Sequence, residues 1–298
     1  MAMHDDQVDV TPDIVATLVR EQFPQWSGKA VRPLSSTGTV NAIFRIGNGL
    51  SARFPLRAAD PAEALAVLDR EARASAELAR VSRFPVPRPV ALGSPGAGYP
   101  MPWSVQTWLP GTVASDADPS GSDAFAEDLA AFIAVLRETD TQGRLFGGDN
   151  RGGSLTHHDD WMARCFEESE GLLDVPRLRR LWSHFRELPR TGADVMSHGD
   201  LIPGNVLVAG DRLGGVLDTG GFGPADPALD LVSAWHLLQP GPREVLRRRL
   251  ACDDLEWERG KAWAFEQAMG LVWYYAESNP TMSGMGRRSL DRILESME

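Results

Sequence analysis

The chain has no long apolar run. None of its stretches approaches the roughly 20 apolar residues that span a bilayer, so no membrane span is expected. The opening Met1-Ala2-Met3-His4-Asp5-Asp6 is acidic and has no apolar core, unlike a secretory leader. Cysteine is scarce: Cys165 and Cys252 show neither metal-binding nor redox spacing, which excludes a disulfide framework and suits buried thiols. These features point to the cytoplasm. Positive charge is in deficit, with 30 Lys and Arg against 41 Asp and Glu and a formal net charge of −11. A nucleic-acid partner needs a basic face and is disfavoured. There is no G-x-x-x-x-G-K-[ST] phosphate loop, no internal repeat and no low-complexity tract. What remains is a chain of 298 residues, 43% hydrophobic, able to bury one large core or two lobes.

The most informative stretch is 197–230. Val206-Leu207-Val208 and Gly215-Val216-Leu217 flank a turn at Ala209-Gly210-Asp211-Arg212, which predicts a β-hairpin. Pairing the two runs with each other sets Val206 opposite Leu217 and Asn205 beside Asp218. Asp200 arrives on the loop feeding the same end. Two carboxylates and an amide oxygen are hard oxygen ligands suited to Mg²⁺ holding phosphates. Asp200 precedes Asn205 by five residues and Asp218 follows on the next strand, the spacing of kinase-type phosphoryl-transfer sites. The plainer alternative is that both aspartates cap turns.

Upstream, Leu34–Asn41 is a loop of small residues around Gly38, followed by a hairpin closed by Gly47-Asn48-Gly49. Period-two alternation puts Leu50, Ala52 and Phe54 on one face and Arg53 on the other. Asp60-Pro61-Ala62-Glu63 is a strong helix start, and the helix runs to about Arg80 with Glu71 beside its apolar stripe. Proline punctuates 84–102, and Trp103–Leu109 reads as a strand ended by Pro110-Gly111. Helices are expected over 125–139, 160–170, 176–188, 226–238, 243–250, 255–275 and 287–297, and a long surface loop over 141–160. In that loop His157-His158-Asp159-Asp160 suggests a metal site, but adjacent histidines diverge and a second ligand pair is missing. Helix capping or contact with a substrate fits Asp159 and Asp160 better. Carboxylates and rings in the C-terminal part, Glu266 and Tyr274 among them, read either as a helical core with a solvated acidic face or as an acceptor pocket.

His198-Gly199-Asp200-Leu201…Asn205, Leu217-Asp218…Gly220 and Asp226…Asp230 together resemble the aminoglycoside phosphotransferase family of kinase-like enzymes. The resemblance is tight over 195–232 and looser over 31–110. It implies an α+β, two-lobed protein-kinase-like fold, with a β-rich N-terminal lobe over 1–109 and a mostly helical C-terminal lobe over 110–298. It implies transfer of a γ-phosphoryl group from ATP, or alternatively GTP, to a hydroxyl of a small molecule, with Mg²⁺. Asp200 would be the catalytic base, and Asn205 and Asp218 the metal ligands. Arg53, oriented by Glu71, would grip the phosphates from a position usually held by Lys. Gly38, Leu217, the Thr107 carbonyl and the Leu109 amide would complete the nucleotide site, with His198 and Asp230 bracing the loop. Thr219 and Gly221 depart from the larger residues common in the family and leave the acceptor open. An aminoglycoside is the first choice, ahead of a macrolide, a peptide antibiotic or a metabolite alcohol; monomer and homodimer are both compatible. The reading from another class is a non-catalytic nucleotide-binding regulator.

Overall fold

The computed structural model describes residues 8–34, 40–148, 150–190 and 192–297. By contacts the chain divides into two compact units that are not two consecutive stretches. One takes in the chain up to Arg80, Pro85–Pro110 and Leu217–Gly220; the other takes in Val81–Phe84, Gly111–Val216 and Gly221–Glu298. The class is mixed α+β.

The first unit opens with α1 (Pro12–Gln22), started by Thr11, whose hydroxyl accepts the Ile14 N–H. A five-stranded antiparallel sheet follows, built from β1 (Val31–Leu34), β2 (Asn41–Ile46), β3 (Leu50–Pro55), β4 (Pro89–Gly93) and β5 (Trp103–Thr107) in the order β1-β2-β3-β5-β4. The helix α2 (Pro61–Val81) sits between β3 and β4 in sequence. Asp60 Oδ1 starts it by accepting the N–H groups of Ala62 (2.9 Å) and Glu63 (3.0 Å). Phe54 and Trp103 stack with ring centroids 4.8 Å apart inside a core shared with Leu18, Phe44 and Tyr99. The Trp103 ring lies so close to Gly93 that a Cβ there would meet it at 2.1 Å, which only glycine avoids.

The second unit is mostly helical. In chain order it comprises β6 (Thr112–Val113), α3 (Ala114–Ala117), α4 (Asp123–Glu138), α5 (Asp159–Glu168), α6 (Val175–Phe185), β7 (Val195–Ser197), β8 (Val206–Ala209) and β9 (Arg212–Val216). These are followed by β10 (Gly223–Ala225), α7 (Val232–Leu237), α8 (Pro240–Leu250), α9 (Asp254–Tyr274) and α10 (Pro280–Glu295). The helix α9 forms its centre, buried almost continuously from Arg259 to Val272. Trp263, Phe265 and Ala268 are fully enclosed there; burying a large apolar side chain contributes about 1.5–3 kcal/mol.

Several expectations shift. The β8–β9 hairpin pairs Val206 with Val216, not with Leu217. The turn is tighter than expected, with Ala209 opposite Arg212, and a bulge at Gly214 moves Val206 from Gly215 to Val216; a Cβ on Gly214 would press on the Val208 carbonyl carbon at 3.1 Å. Asp226 does not open a helix to Leu238: a 3₁₀ turn spans Leu229–Leu231 and α7 starts only at Val232. The Asp226 carboxylate is instead drawn to Arg259 and to Trp263 Nε1, and its Oδ1 accepts the Ala228 N–H, which favours a turn over helix. The C-terminal helix begins at Pro280, capped by Asn279, seven residues earlier than expected. The 141–160 segment is partly interior, with Gly152, Gly153, Leu155 and His158 buried. Among the described residues no helix is long and apolar enough to cross a membrane.

Candidate active site

In the second unit, β7 ends at Ser197 and the chain turns through Gly199, whose φ of +82° suits glycine. Asp230 holds this turn from below. Its Oδ2 accepts the His198 N–H and its Oδ1 the Gly199 N–H, both at 2.9 Å, in a carboxylate only 3% exposed. His198 is buried, its Nδ1 accepting the Asp200 N–H at 3.3 Å, and its ring edge faces Phe132.

Asp200 leaves the turn with its carboxylate clasped on both oxygens. Asn205 Nδ2 donates to Oδ2 at 2.8 Å and to the Asp200 carbonyl at 3.0 Å. Gln267 Nε2 donates to Oδ1 at 2.7 Å, and Arg151 Nη2 reaches the same oxygen at 3.1 Å. The 3₁₀ turn Pro203–Asn205 brings Asn205 back onto Asp200 across five residues. A carboxylate only accepts, so the Asn205 amide nitrogen must face Asp200. Asn205 Oδ1, with no hydrogen-bond donor from the described residues, is left for a cation. That oxygen fits the hard-ligand set of Mg²⁺.

In the first unit, Asp218 has φ +55°, in the left-handed region that Asp tolerates and most residues avoid. Its Oδ1 forms an ion pair with Arg53 Nη2 at 2.7 Å. This corrects the expected Arg53–Glu71 pair: among the described residues the ion pair that Arg53 makes is with Asp218. Glu71 lies near enough for its charge to be felt. Burial pushes its carboxyl above the ordinary range, Arg53 pulls it back and the Asp218 charge pushes it up again. The segment after Asp218 packs on α2 through small groups. Thr219 Oγ1 donates to Ser75 Oγ at 2.8 Å, and a Cβ on Gly220 would meet Glu71 Cβ at 2.9 Å. Small residues after Asp218 therefore match a close α2. Arg53, Glu71, Asp218, Ser75, Gln106 and Leu92 border a cavity of about 220 Å³ within this unit.

Thr107 closes β5, exchanging hydrogen bonds with Arg88, and Leu109 lies two residues on. Leu217 directly precedes Asp218. Gly38 lies outside the described residues. The expected acceptor residues divide. Asp159 is engaged by Arg186 and by Trp182 Nε1, and the Arg186 hydrogen bond holds its carboxyl below the usual range. Glu266 is 3% exposed, its Oε1 accepting His158 Nδ1–H at 2.9 Å. Both are therefore structural partners of a neighbour, and Glu266 is shut off from a solvent-borne acceptor. Asp160 and Tyr274 are exposed. Among the described residues no three His, Cys, Asp or Glu side chains converge as a metal cluster.

Arg151 and Gln267 were not singled out from the sequence. Arg151 gives no signal in its glycine-rich surroundings. Gln267 does give one, as an amide inside the apolar run Trp263–Val272.

Residues 30–263 match the family model described as the phosphotransferase enzyme family. No curated protein matches the chain. The fold is shared with solved structures. The GDP complex of aminoglycoside 2'-phosphotransferase-IIIa superposes with a TM-score of 0.72 at 18% identity, over 96% of this chain and 100% of that one. Macrolide 2'-phosphotransferase MphH from Brachybacterium faecium gives 0.63 at 18% identity, over 93% and 97%. The streptomycin–ATP complex of APH(2")-IIa gives 0.59 at 17% identity, over 89% and 90%. With the family model covering most of its length, the chain belongs to the phosphotransferase enzyme family and is a small-molecule phosphotransferase of kinase-like fold.

Proposed function

We propose that the protein transfers the γ-phosphoryl group of ATP to a hydroxyl of an aminoglycoside-type antibiotic. The observation that carries this reading is the clasped Asp200 carboxylate, with Asn205 Oδ1 turned free for a cation. Asp200 orients the acceptor hydroxyl and accepts its proton, a role generally worth about 10²–10⁴-fold. Arg53 offers a guanidinium to the nucleotide phosphates. Asn205 and Asp218 are the residues that would hold Mg²⁺, which when bound offsets phosphate charge. Glu71 sets the local field around Arg53, while His198 and Asp230 hold the Asp200 loop. Thr107, Leu109 and Leu217 are assigned to the nucleotide base. The cytoplasm, where ATP is abundant, suits the reaction. The acceptor class is supported by structural relatives solved with kanamycin, gentamicin and streptomycin. A macrolide is the second reading, favoured by two macrolide 2'-phosphotransferases of the same fold.

The test is an ATP-consumption screen with Mg²⁺ against aminoglycosides, macrolides, peptide antibiotics and small amino-alcohols, with Asp200→Asn as blank. Turnover confined to aminoglycosides and absent in the variant is the expected result. Turnover confined to macrolides or a metabolite alcohol replaces the acceptor. ATP binding with no turnover on any acceptor overturns the enzymatic assignment in favour of a regulatory role.

A further inference from the structure

Gln267 interrupts the most enclosed stretch of α9 and is itself 7% exposed. A primary amide there is costly unless both its ends are bonded. Its Nε2 faces Asp200 Oδ1 at 2.7 Å, and its Oε1 faces His236 Nε2 at 3.1 Å. His236, 4% exposed on α7, meets Ser289 Oγ of α10 through Nδ1 at 2.7 Å. Three helices thus contribute one residue each to a string ending on Asp200.

The direction of every bond in the string follows from donor chemistry. The carboxylate only accepts, so the amide nitrogen of Gln267 faces it and the amide oxygen faces the ring. That oxygen only accepts, so His236 Nε2 carries the hydrogen. A neutral imidazole has one N–H, so Nδ1 accepts the Ser289 hydroxyl, which turns to the ring at 2.7 Å in preference to the Met285 carbonyl at 3.0 Å. Burial, with Arg151 and Arg292 nearby, keeps the ring neutral, its pKa lowered to about 3. The string therefore has one polarity at neutral pH.

We propose that Gln267, oriented by His236 and Ser289, is a positioning residue that fixes the rotamer of Asp200 for the acceptor hydroxyl. The proposal rests on the phosphotransfer reading for its catalytic consequence. Asn205 anchors Oδ2, and Gln267 supplies the neutral anchor on Oδ1. Without it, only Arg151 holds that oxygen, through one longer bond at 3.1 Å from a flexible side chain. Loss of a hydrogen bond to a charged group corresponds to a fall of about ten- to a hundred-fold in kcat. Nucleotide binding does not use this string, so KM for ATP stays as it is.

The experiment has two arms. In the first, kcat and KM for ATP are measured with Mg²⁺ and the acceptor that the screen selects, or with water as acceptor, for Gln267→Leu, Gln267→Met, His236→Leu and His236→Gln. Gln267→Met keeps the shape should Gln267→Leu fail to fold. His236→Gln restores an N–H donor near the Nε2 position. The expected pattern is low kcat at unchanged KM for the first three and recovery in His236→Gln. Wild-type kcat in a folded Gln267 variant, or His236→Gln falling as far as His236→Leu, overturns the proposal. In the second arm, ¹⁵N-histidine NMR of the whole protein without ligands reads the tautomer of His236. The Nε2–H form is expected in wild type, with its signal displaced in Gln267→Met. An Nδ1–H form overturns the string whatever the kinetics show. Wild type that consumes no ATP with any acceptor or with water removes the phosphotransfer reading and the positioning role with it; the tautomer then judges the string alone.

Discussion

The grip of Asp230 on the Asp200 turn can be broken and measured. Its two oxygens accept the N–H groups of His198 and Gly199 at 2.9 Å each, in a pocket where Asp230 is 3% and His198 1% exposed. Hydrogen bonds to a charged group contribute about 1.5–3 kcal/mol each. Asp230→Ala takes the acceptor from the buried His198 N–H, while the Gly199 N–H keeps Ser197 Oγ at 3.1 Å, a loss of roughly 2–5 kcal/mol if no water enters. Asp230→Asn keeps one acceptor and points its NH₂ at the other N–H, so it loses about half as much. Amide hydrogen exchange at residues 198 and 199 reads this locally, independent of how the two units unfold. A loss of 3 kcal/mol corresponds to exchange faster by about a hundredfold or more. Turnover should fall with it, because Asp200 follows directly on the loosened turn. Exchange within a few-fold of wild type together with full kcat in Asp230→Ala would refute the reasoning.

Other perturbations follow from the same geometry. Gly260→Ala adds a Cβ that meets Leu231 Cβ at 2.5 Å, so it should destabilise by about 1–3 kcal/mol in urea melts despite the better helix propensity of alanine. Arg259→Met strands the fully buried Asp226 charge and should cost about 3–5 kcal/mol, whereas the double variant Asp226→Leu/Arg259→Met should recover most of it. His236 stays neutral in the fold with a pKa of about 3, against 6.5 for the unfolded chain. The unfolded state therefore binds the extra proton below about pH 6.5, and stability falls by about 1.4 kcal/mol per pH unit from there downward. His236→Gln should flatten that slope in denaturation curves taken between pH 5 and 7. Asp218→Asn should keep the melting temperature within a few degrees and abolish turnover, while Asp218→Val should also destabilise by about 1–2 kcal/mol, since a β-branched residue resists φ +55°.

The parts of the molecule governed by near neighbours in sequence were legible. Asp60-Pro61 starts a helix because capping is decided within four residues. The five-residue return from Asp200 to Asn205 is likewise local. Choices made between distant segments were not legible. The register of β8 and β9 depends on a turn that closes with Ala209 opposite Arg212 and on the bulge at Gly214, and pairing the two apolar runs with each other misses both. Asp226-Pro227 has the form of a helix start, yet Arg259, 33 residues later, captures its carboxylate. Arg53 was expected to pair with Glu71, yet Asp218, 165 residues away, makes the ion pair. Gln267 joins Asp200 across 67 residues, a meeting that only the packing of α9 against the Asp200 loop creates.

Asp218 and Asp226, eight residues apart, give opposite answers to mutation. At 226 the carboxylate is part of the scaffold, and a chain that loses it alone loses fold and function together. At 218 the left-handed backbone is most at ease with Asp, Asn or Gly. The replacements that remove the charge most cleanly are thus the ones the backbone accepts most readily. On the proposed metal role of Asp218, a single base change to Asn or Gly would leave the fold intact and silence turnover. Nothing in the backbone defends the acid at that position; only selection for phosphoryl transfer would keep it there.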